Sequence, residues 1–406
     1  MKRNYSILAV FIGMITWSCT SSHSFVTGVI NLEEGLSQME TLPLSKVAAS
    51  IEYIPLEDTD ESLVGNIQNL FYNNSHIYIK DNTGLIKIFD RKGRFVRKIN
   101  RLGRGPQEYS QMSILLPAPN GNFLLADFSE HKEYNVDGNL IRKIEYPKVD
   151  YRIYETLMID ENRYIAPLCK KYDGEYCAVI YDSLSTILQM IPIPDLYGPE
   201  KKQSNIGQRN LFSLNQGSGE VDEIQFVALV APEIFRYGDQ IRIFYPKTAE
   251  IFTTDGYGVL DTAFVINYGK YPPPGGEAND YTRSLKALYP NSFLESENYL
   301  FMNVAVRNIL VNQAHLRGNF IFDKRTMNTH LLYDIEKRIN GFTDDLKGGP
   351  PFWPKSVYGK DLLISYADPS YLIKLSEQNK VSDEFRHFVS GLTDDSNPVV
   401  IFVHLK

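Results

Sequence analysis

The sequence predicts a single all-β domain: a six-bladed β-propeller of four-stranded antiparallel blades, closed by a strand from near the N-terminus pairing into the last blade. Three observations predict it. A hairpin pattern recurs six times along the 406 residues. One strand-like segment near each end of the chain belongs to no hairpin. Aromatic residues are abundant, with 26 tyrosines and 22 phenylalanines, and such residues favour half-buried pleated surfaces.

Each recurrence is an apolar strand ending in an aromatic or apolar residue, a short polar turn and a second apolar strand. The copies are Leu85–Ile99, His131–Ile144, Cys177–Ile191, Thr248–Ile266, Asn319–Ile335 and Ser370–Phe385. Their last residues before the turn are Phe89, Tyr134, Tyr181, Phe252, Phe322 and Lys374. Another short strand precedes most copies, as in "HIYIKDN", "NFLLADF", "RYIAPLCKK", "QFVALVAPEIF" and "LLISYAD". Four-stranded units at ~40–50 residues mark propeller blades. Two wider spacings call for extra loops, one at Asp195–Glu223 and one at Gly269–Asn298, where Asp280–Leu288 could form a short helix. The unassigned strands Ser50–Glu57 and Pro398–Lys406 are expected to pair, because a closed ring leaves no long open edge.

The N-terminus reads as a targeting segment. Lys2 and Arg3 precede the apolar run Ile7–Trp17, which is too short to span a bilayer and fits a signal-peptide core. Thr16-Trp17-Ser18-Cys19 resembles a bacterial lipoprotein signal, so Cys19 is the expected lipidation site. The expected organisation is 1–18 signal peptide, 19–46 anchor-proximal linker and 47–406 propeller. Loss of Lys2 and Arg3 takes the net charge from −7 to −9, an acidity that argues against general nucleic-acid binding.

Cys169 and Cys177 flank Asp173-Gly174, a two-residue hairpin signal. That turn would set Cys169 opposite Ala178 and Cys177 opposite Lys170. An exported compartment permits a disulfide between them, and two half-buried thiols are the alternative.

The chain resembles the six-bladed β-propeller lipoproteins of Bacteroidota, which are loosely similar to NHL-repeat propellers. The residues that carry the resemblance are "IEYIPLE", "IFDRKGRFVRKI", "GRGPQEY", "GGPPFWP" and "DDSNPVVIFVHLK". The resemblance implies the fold and an exported compartment, and it implies no activity. "TSSHS" after Cys19 carries no acid, which by the same resemblance implies an outer-membrane anchor facing the periplasm.

Leu102–Met112, "LGRGPQEYSQM", lacks what a phosphate loop needs. Pro106 removes an N–H, Glu108 adds a negative charge, and a strand-like segment follows in place of a helix N-terminus. It reads as the turn between two blades, with Arg104, Glu108 and Tyr109 as candidate ligand contacts. Trp353, set among prolines, is a fourth candidate, against the simpler reading of a tryptophan packed between blades. Arg91–Arg104 holds seven basic residues in fourteen; it reads as a solvated outer strand, or as a patch for an anionic ligand or a lipid headgroup near the anchor.

The seven histidines show no metal-like spacing, and no nucleophile elbow or calcium loop is present. No catalytic residue, metal or cofactor is therefore nominated. The expected function is an exported, lipid-anchored binding module, monomeric, for an unknown protein or carbohydrate. It would touch the membrane through its anchor only and bind no nucleic acid. The alternative is a glycan hydrolase or lyase with carboxylates at the channel.

Overall fold

Six sheets stack face to face around one axis in a computed structural model. It describes residues 27–406 apart from 154, 171–175, 194–231, 246–247, 272–287, 307–315 and 379–380. The signal segment with Cys19, the Asp195–Glu223 loop, the Asp173-Gly174 turn and nearly all of the proposed 280–288 helix lie outside the described residues.

The chain opens with β1 (Gly28–Asn31), α1 (Leu32–Ser37) and β2 (Ala48–Pro55). Blade 1 is β3 (Ile67–Asn73), β4 (His76–Asp81), β5 (Ile86–Asp90) and β6 (Phe95–Ile99). Blade 2 is β7 (Ile114–Pro117), β8 (Phe123–Ala126), β9 (Glu130–Tyr134) and β10 (Leu140–Glu145). In blade 3 the inner strand is broken into β11 (Tyr151–Ile153) and β12 (Leu157–Met158), followed by β13 (Arg163–Lys170), β14 (Tyr176–Asp182) and β15 (Ile187–Pro192). Blade 4 is β16 (Glu233–Tyr237), β17 (Gln240–Phe244), β18 (Glu250–Thr254) and β19 (Asp261–Asn267).

Blade 5 is β20 (Leu288–Glu295), β21 (Tyr299–Val306), β22 (Leu316–Asp323) and β23 (Asn328–Leu331). A two-stranded ribbon, β24 (Tyr333–Asp334) and β25 (Ile339–Asn340), leads on to blade 6. Blade 6 is β26 (Ser356–Tyr358), β27 (Leu362–Ala367) and β28 (Val399–Leu405), with α2 (Pro369–Ser376) and α3 (Asp383–Val389) inserted between its last two strands.

The ring closes as the sequence predicts. β2 becomes the outer strand of blade 6, antiparallel to β28 from Ala48↔Leu405 to Pro55↔Val399. Buried apolar residues fall into six clusters, one at each blade-to-blade interface. The cluster between blades 6 and 1 joins Phe402 and Val400 to Ile77 and Phe89. Every sheet is thus covered on both faces by its neighbours, which explains the nearly continuous apolar central strands such as Val399–Leu405.

Five details correct the sequence reading. The sixth hairpin, Ser370–Phe385, is helical. Pro369 at the first helical position and the Ser382 side chain accepting from Phe385 N at 3.1 Å start the two helices. Phe385 and Val389, one turn apart, then bury together. In blade 4 the strand before the fourth hairpin is Gln240–Phe244. The segment 288–295, placed in the extra loop Gly269–Asn298, is inner strand β20. Pro290 is tolerated because an inner strand is a sheet edge, where a missing N–H loses no ladder bond.

The fourth correction is the cysteine register, which is Cys169↔Tyr176 and Cys177↔Leu168. This is offset by two residues from the register that a two-residue turn would impose. Residues 28–46, assigned to a linker, are ordered on the ring. β1 adds a parallel fifth strand beside β19, and α1 lies against β23.

His131 of β9 is fully buried between blades 2 and 3. Its ring lies 4.6 Å from Tyr164, 5.5 Å from Tyr146 and 6.1 Å from Tyr181. Neither ring nitrogen has a hydrogen-bond partner among the described residues. Burial first, then the Arg142 charge, hold its pKa down at about 3 against Glu130's opposing pull. The folded state therefore keeps His131 neutral, while the unfolded chain takes up a proton below pH 6.5. Stability should fall from that pH down to about 3, by up to about 1.4 kcal/mol per unit from this residue. His131→Phe should remove that part of the acid sensitivity. Melting temperatures at pH 7 and pH 4.5 check it: equal losses in both proteins would refute the assignment.

Candidate functional site

The inner strands line the axis, and each is a sheet edge whose outward N–H groups lack a ladder partner. Side chains from neighbouring blades meet this need. Asn69 Oδ1 of β3 accepts from Leu115 N of β7 at 3.4 Å. Glu155, at the break between β11 and β12, accepts from Ile234 N of β16. Glu233 Oε2 of β16 accepts from Ser292 N of β20 at 2.7 Å, and the same carboxylate accepts from Phe293 N. Ser292 sits in a β-bulge with φ of 55°, which turns its N–H toward the carboxylate. Arg236 donates back across to Met158 O.

Glu155 and Glu233 therefore stand on adjacent inner strands at the seam between blades 3 and 4. Burial pushes Glu155 up to about 7, and the charge of Glu233 adds to the shift. Burial also pushes Glu233 up to about 7, against the pull of its two backbone hydrogen bonds. Burial is thus the main cause of both shifts, and the Glu233 charge is a secondary cause for Glu155. Two such carboxyls offer proton exchange, or acceptors for hydroxyl groups, at the inner ring. Each carboxylate is also committed to a backbone N–H of the next blade.

The four sequence-nominated contacts do not converge on these two acids or on one another. In the loop between blades 1 and 2, Gly105 N donates to Glu108 Oε2 at 2.7 Å and Glu108 N to Gly105 O at 3.0 Å. Gly103 N donates to Tyr109 O at 3.1 Å, and Tyr109 N to Arg101 O at 2.8 Å. These N–H groups are spent inside the loop, as the reading against a phosphate cradle expects. A Cβ on Gly103 would lie 1.9 Å from Glu108 Oε2, so the carboxylate's seat requires glycine there.

Tyr109 is buried, with its hydroxyl donating to Ile99 O at 3.1 Å. Trp353 is partly buried on the core between blades 5 and 6, stacked on Phe342 at 6.4 Å and edge-on to Phe301 at 5.6 Å. Arg104 alone of the four is exposed, at the loop tip.

The basic run stitches blades together. Arg91 of blade 1 pairs with Glu52 of the closing strand at 3.0 Å and stacks on Phe402 at 3.9 Å. Arg97 reaches Asp137 of blade 2 at 2.7 Å, while Arg94 pairs locally with Asp90. Between blades 4 and 5, Arg242 grips Glu295 through two bonds of 2.8 and 3.1 Å, and Lys324 reaches the same carboxylate at 2.7 Å. The sequence offered no way to pair these three. Glu155 and Glu233 did leave a faint signal, as single acids inside the apolar runs "IYETLM" and "APEIF".

Because their folded pKa of about 7 exceeds the ordinary 4.5, Glu155 and Glu233 hold protons that the unfolded chain releases at lower pH. Their contribution to stability therefore declines as pH rises from about 4.5 to 7. Glu155→Gln should remove its own share of this decline and so flatten it. Between pH 5 and pH 8 the variant should lose about 2–4 °C less in melting temperature than the unmodified chain. Parallel curves for the two proteins would refute the raised pKa of Glu155.

A solved structure of a similar chain agrees with the fold. A Bacteroides fragilis protein described as exported has a crystal structure with a TM-score of 0.64 at 17% identity, covering 93% of this chain and 99% of its own. A Bacteroides vulgatus member of the DUF4221 family gives a TM-score of 0.42 at 13% identity, covering 89% of this chain and 97% of its own. No curated protein matches the sequence. A family model, the domain of unknown function DUF4934, matches residues 27–404, which is every blade and both N-terminal additions. The chain belongs to the DUF4934 family.

Proposed function

We propose that this chain is an exported, lipid-anchored propeller that binds a protein or carbohydrate through one face of its ring. The observation that carries the binding reading is the use of the inner-ring carboxylates. Glu155 and Glu233 each accept backbone N–H groups from the next blade, so they hold the ring together. Among the described residues no group of three or more metal-type ligands is present. No helix among them is long and apolar enough to cross a membrane.

Export is supported by the apolar segment Ile7–Trp17, and anchoring by Cys19 directly after it. The similar B. fragilis protein is itself described as exported. On this reading Cys19 carries the lipid and the anchor sits in the outer membrane, facing the periplasm.

One observation favours a second reading, a glycan hydrolase or lyase: the two inner-ring carboxyls with pKa values raised to about 7. The two readings part on one measurement. Incubation with a panel of soluble bacterial and plant polysaccharides should give retention without cleavage. Reducing-end or unsaturated products that disappear in Glu233→Gln would establish the enzyme instead.

Anchoring is tested separately. The chain produced in a Gram-negative host should fractionate with membranes and incorporate labelled fatty acid, and Cys19→Ala should release it to the soluble fraction without label. Membrane retention of Cys19→Ala would refute lipidation at that residue.

A further inference from the structure

The strand turns of consecutive blades differ sharply on the face where the described chain begins. The β14–β15 turn exposes Leu184 at 83%, and the β18–β19 turn exposes Tyr257 at 72% and Val259 at 65%. The first residue of β15, Ile187, and the next, Leu188, continue the patch. Blades 3 and 4 are joined there, because Gln189 Nε2 donates to Gly258 O at 3.3 Å. The equivalent turns of blades 1 and 2 are Arg91–Arg94 and Asp137–Asn139, which are polar.

The described chain begins near the β18–β19 turn, on the outer edge of blade 4. Thr27 N donates to Ala263 O at 2.7 Å, and β1 then runs parallel to β19, away from the β18–β19 turn. Gly28 lies against the Phe322 ring and the sulfur of Met327, itself an exposed residue of the β22–β23 turn. Residues 19–26 separate Cys19 from this point. Fully extended they span at most on the order of 28 Å, at about 3.5 Å per residue. On the lipid-anchor reading, a lipid on Cys19 is thus tethered within reach of these exposed apolar side chains.

We infer that this face rests on the bilayer into which that lipid inserts, with Leu184, Tyr257 and Val259 seated at the headgroup–acyl boundary. The inference rests on the lipid-anchor reading and extends it from a tether to a fixed orientation. Tyr257 suits the boundary, since its ring is apolar and its hydroxyl polar. The Arg163 guanidinium lies 4.5 Å over that ring and pairs with Asp160 at 2.7 Å. A lipid chain combined with an apolar surface gives the two signals that durable membrane attachment requires. The opposite face, with the Arg101–Ser113 loop and helices α2 and α3, then points away from the membrane and is the face open to a partner.

The test uses the full lipidated protein in vesicles of phosphatidylethanolamine and phosphatidylglycerol, with and without added brominated phosphatidylcholine. Tyr257→Trp places a reporter on the patch. Phe128→Trp places one on the opposite face, where Phe128 is 86% exposed, and Trp353 supplies the same background in both. Brominated lipid should extinguish most of the added emission at position 257 and spare that at position 128. Leu184→Trp should repeat the result at 257 and serves if either first variant folds poorly. Equal quenching on both faces, or none on either, overturns the inference. So does a concentration-dependent blue shift of the 257 reporter in lipid-free solution, which would make the patch a contact between two copies. The mass of the N-terminal fragment separates the failures. An unacylated Cys19 sinks the anchor reading and this inference together, whereas an acylated Cys19 with an unquenched position 257 sinks the inference alone.

Discussion

The fold depends on one strand pair, β2 against β28. Six interblade cores exist only if blade 6 meets blade 1, and blade 6 is complete only when a segment from the start of the chain joins its end. The pair is secured at several points along β2. Ile51 is buried in the core between blades 5 and 6, and Tyr53 donates to Asp344 at 2.6 Å while its ring packs 5.4 Å from Phe385. Glu52 bonds Arg91 of blade 1 and lies 3.1 Å from His404 of its own sheet. Burying both ends of the chain in one sheet makes every blade depend on closure.

A closed ring creates a second constraint at its axis. Outer edges are protected by charge, as in β6 and β10, or by an added strand, as where β1 covers β19. Inner edges cannot be covered, and their N–H groups are met by side chains of adjacent blades. This explains why acids such as Glu155 and Glu233 occupy costly buried positions, and why burial raises both. A site of any chemistry at the axis would be built on groups already carrying structural duty.

Charge is spent in the same way elsewhere. The basic run at residues 91–104 looks like a patch for anions when read linearly, yet Arg91 and Arg97 are consumed by neighbouring blades. The buried Arg242–Glu295–Lys324 cluster joins three strands or turns remote in sequence. Removing Glu295 would leave two buried cations without their counter-charge, which costs more than the intact cluster contributes.

The sequence by itself determined the blade count, the antiparallel hairpins and the closing strand, because these follow from local alternation and turn chemistry repeated along the chain. It also marked "GRGPQEY" as an interblade turn, since Pro106 and Glu108 are incompatible with an anion cradle whatever surrounds them. It misread the helical insertion in blade 6 and inner strand β20. At Ser370–Phe385 a short apolar run fits either period. At 288–295 the turn-like residues are tolerated only because the strand is an edge. Tertiary structure alone decided the chemistry at the interfaces: which acids stand at the axis, that His131 lies among three tyrosines, and that Leu184, Tyr257 and Val259 share a face with the start of β1. The physical reason is distance along the chain. Contacts within a blade are set by a few neighbouring residues, while contacts between blades join residues that only the closed ring brings together.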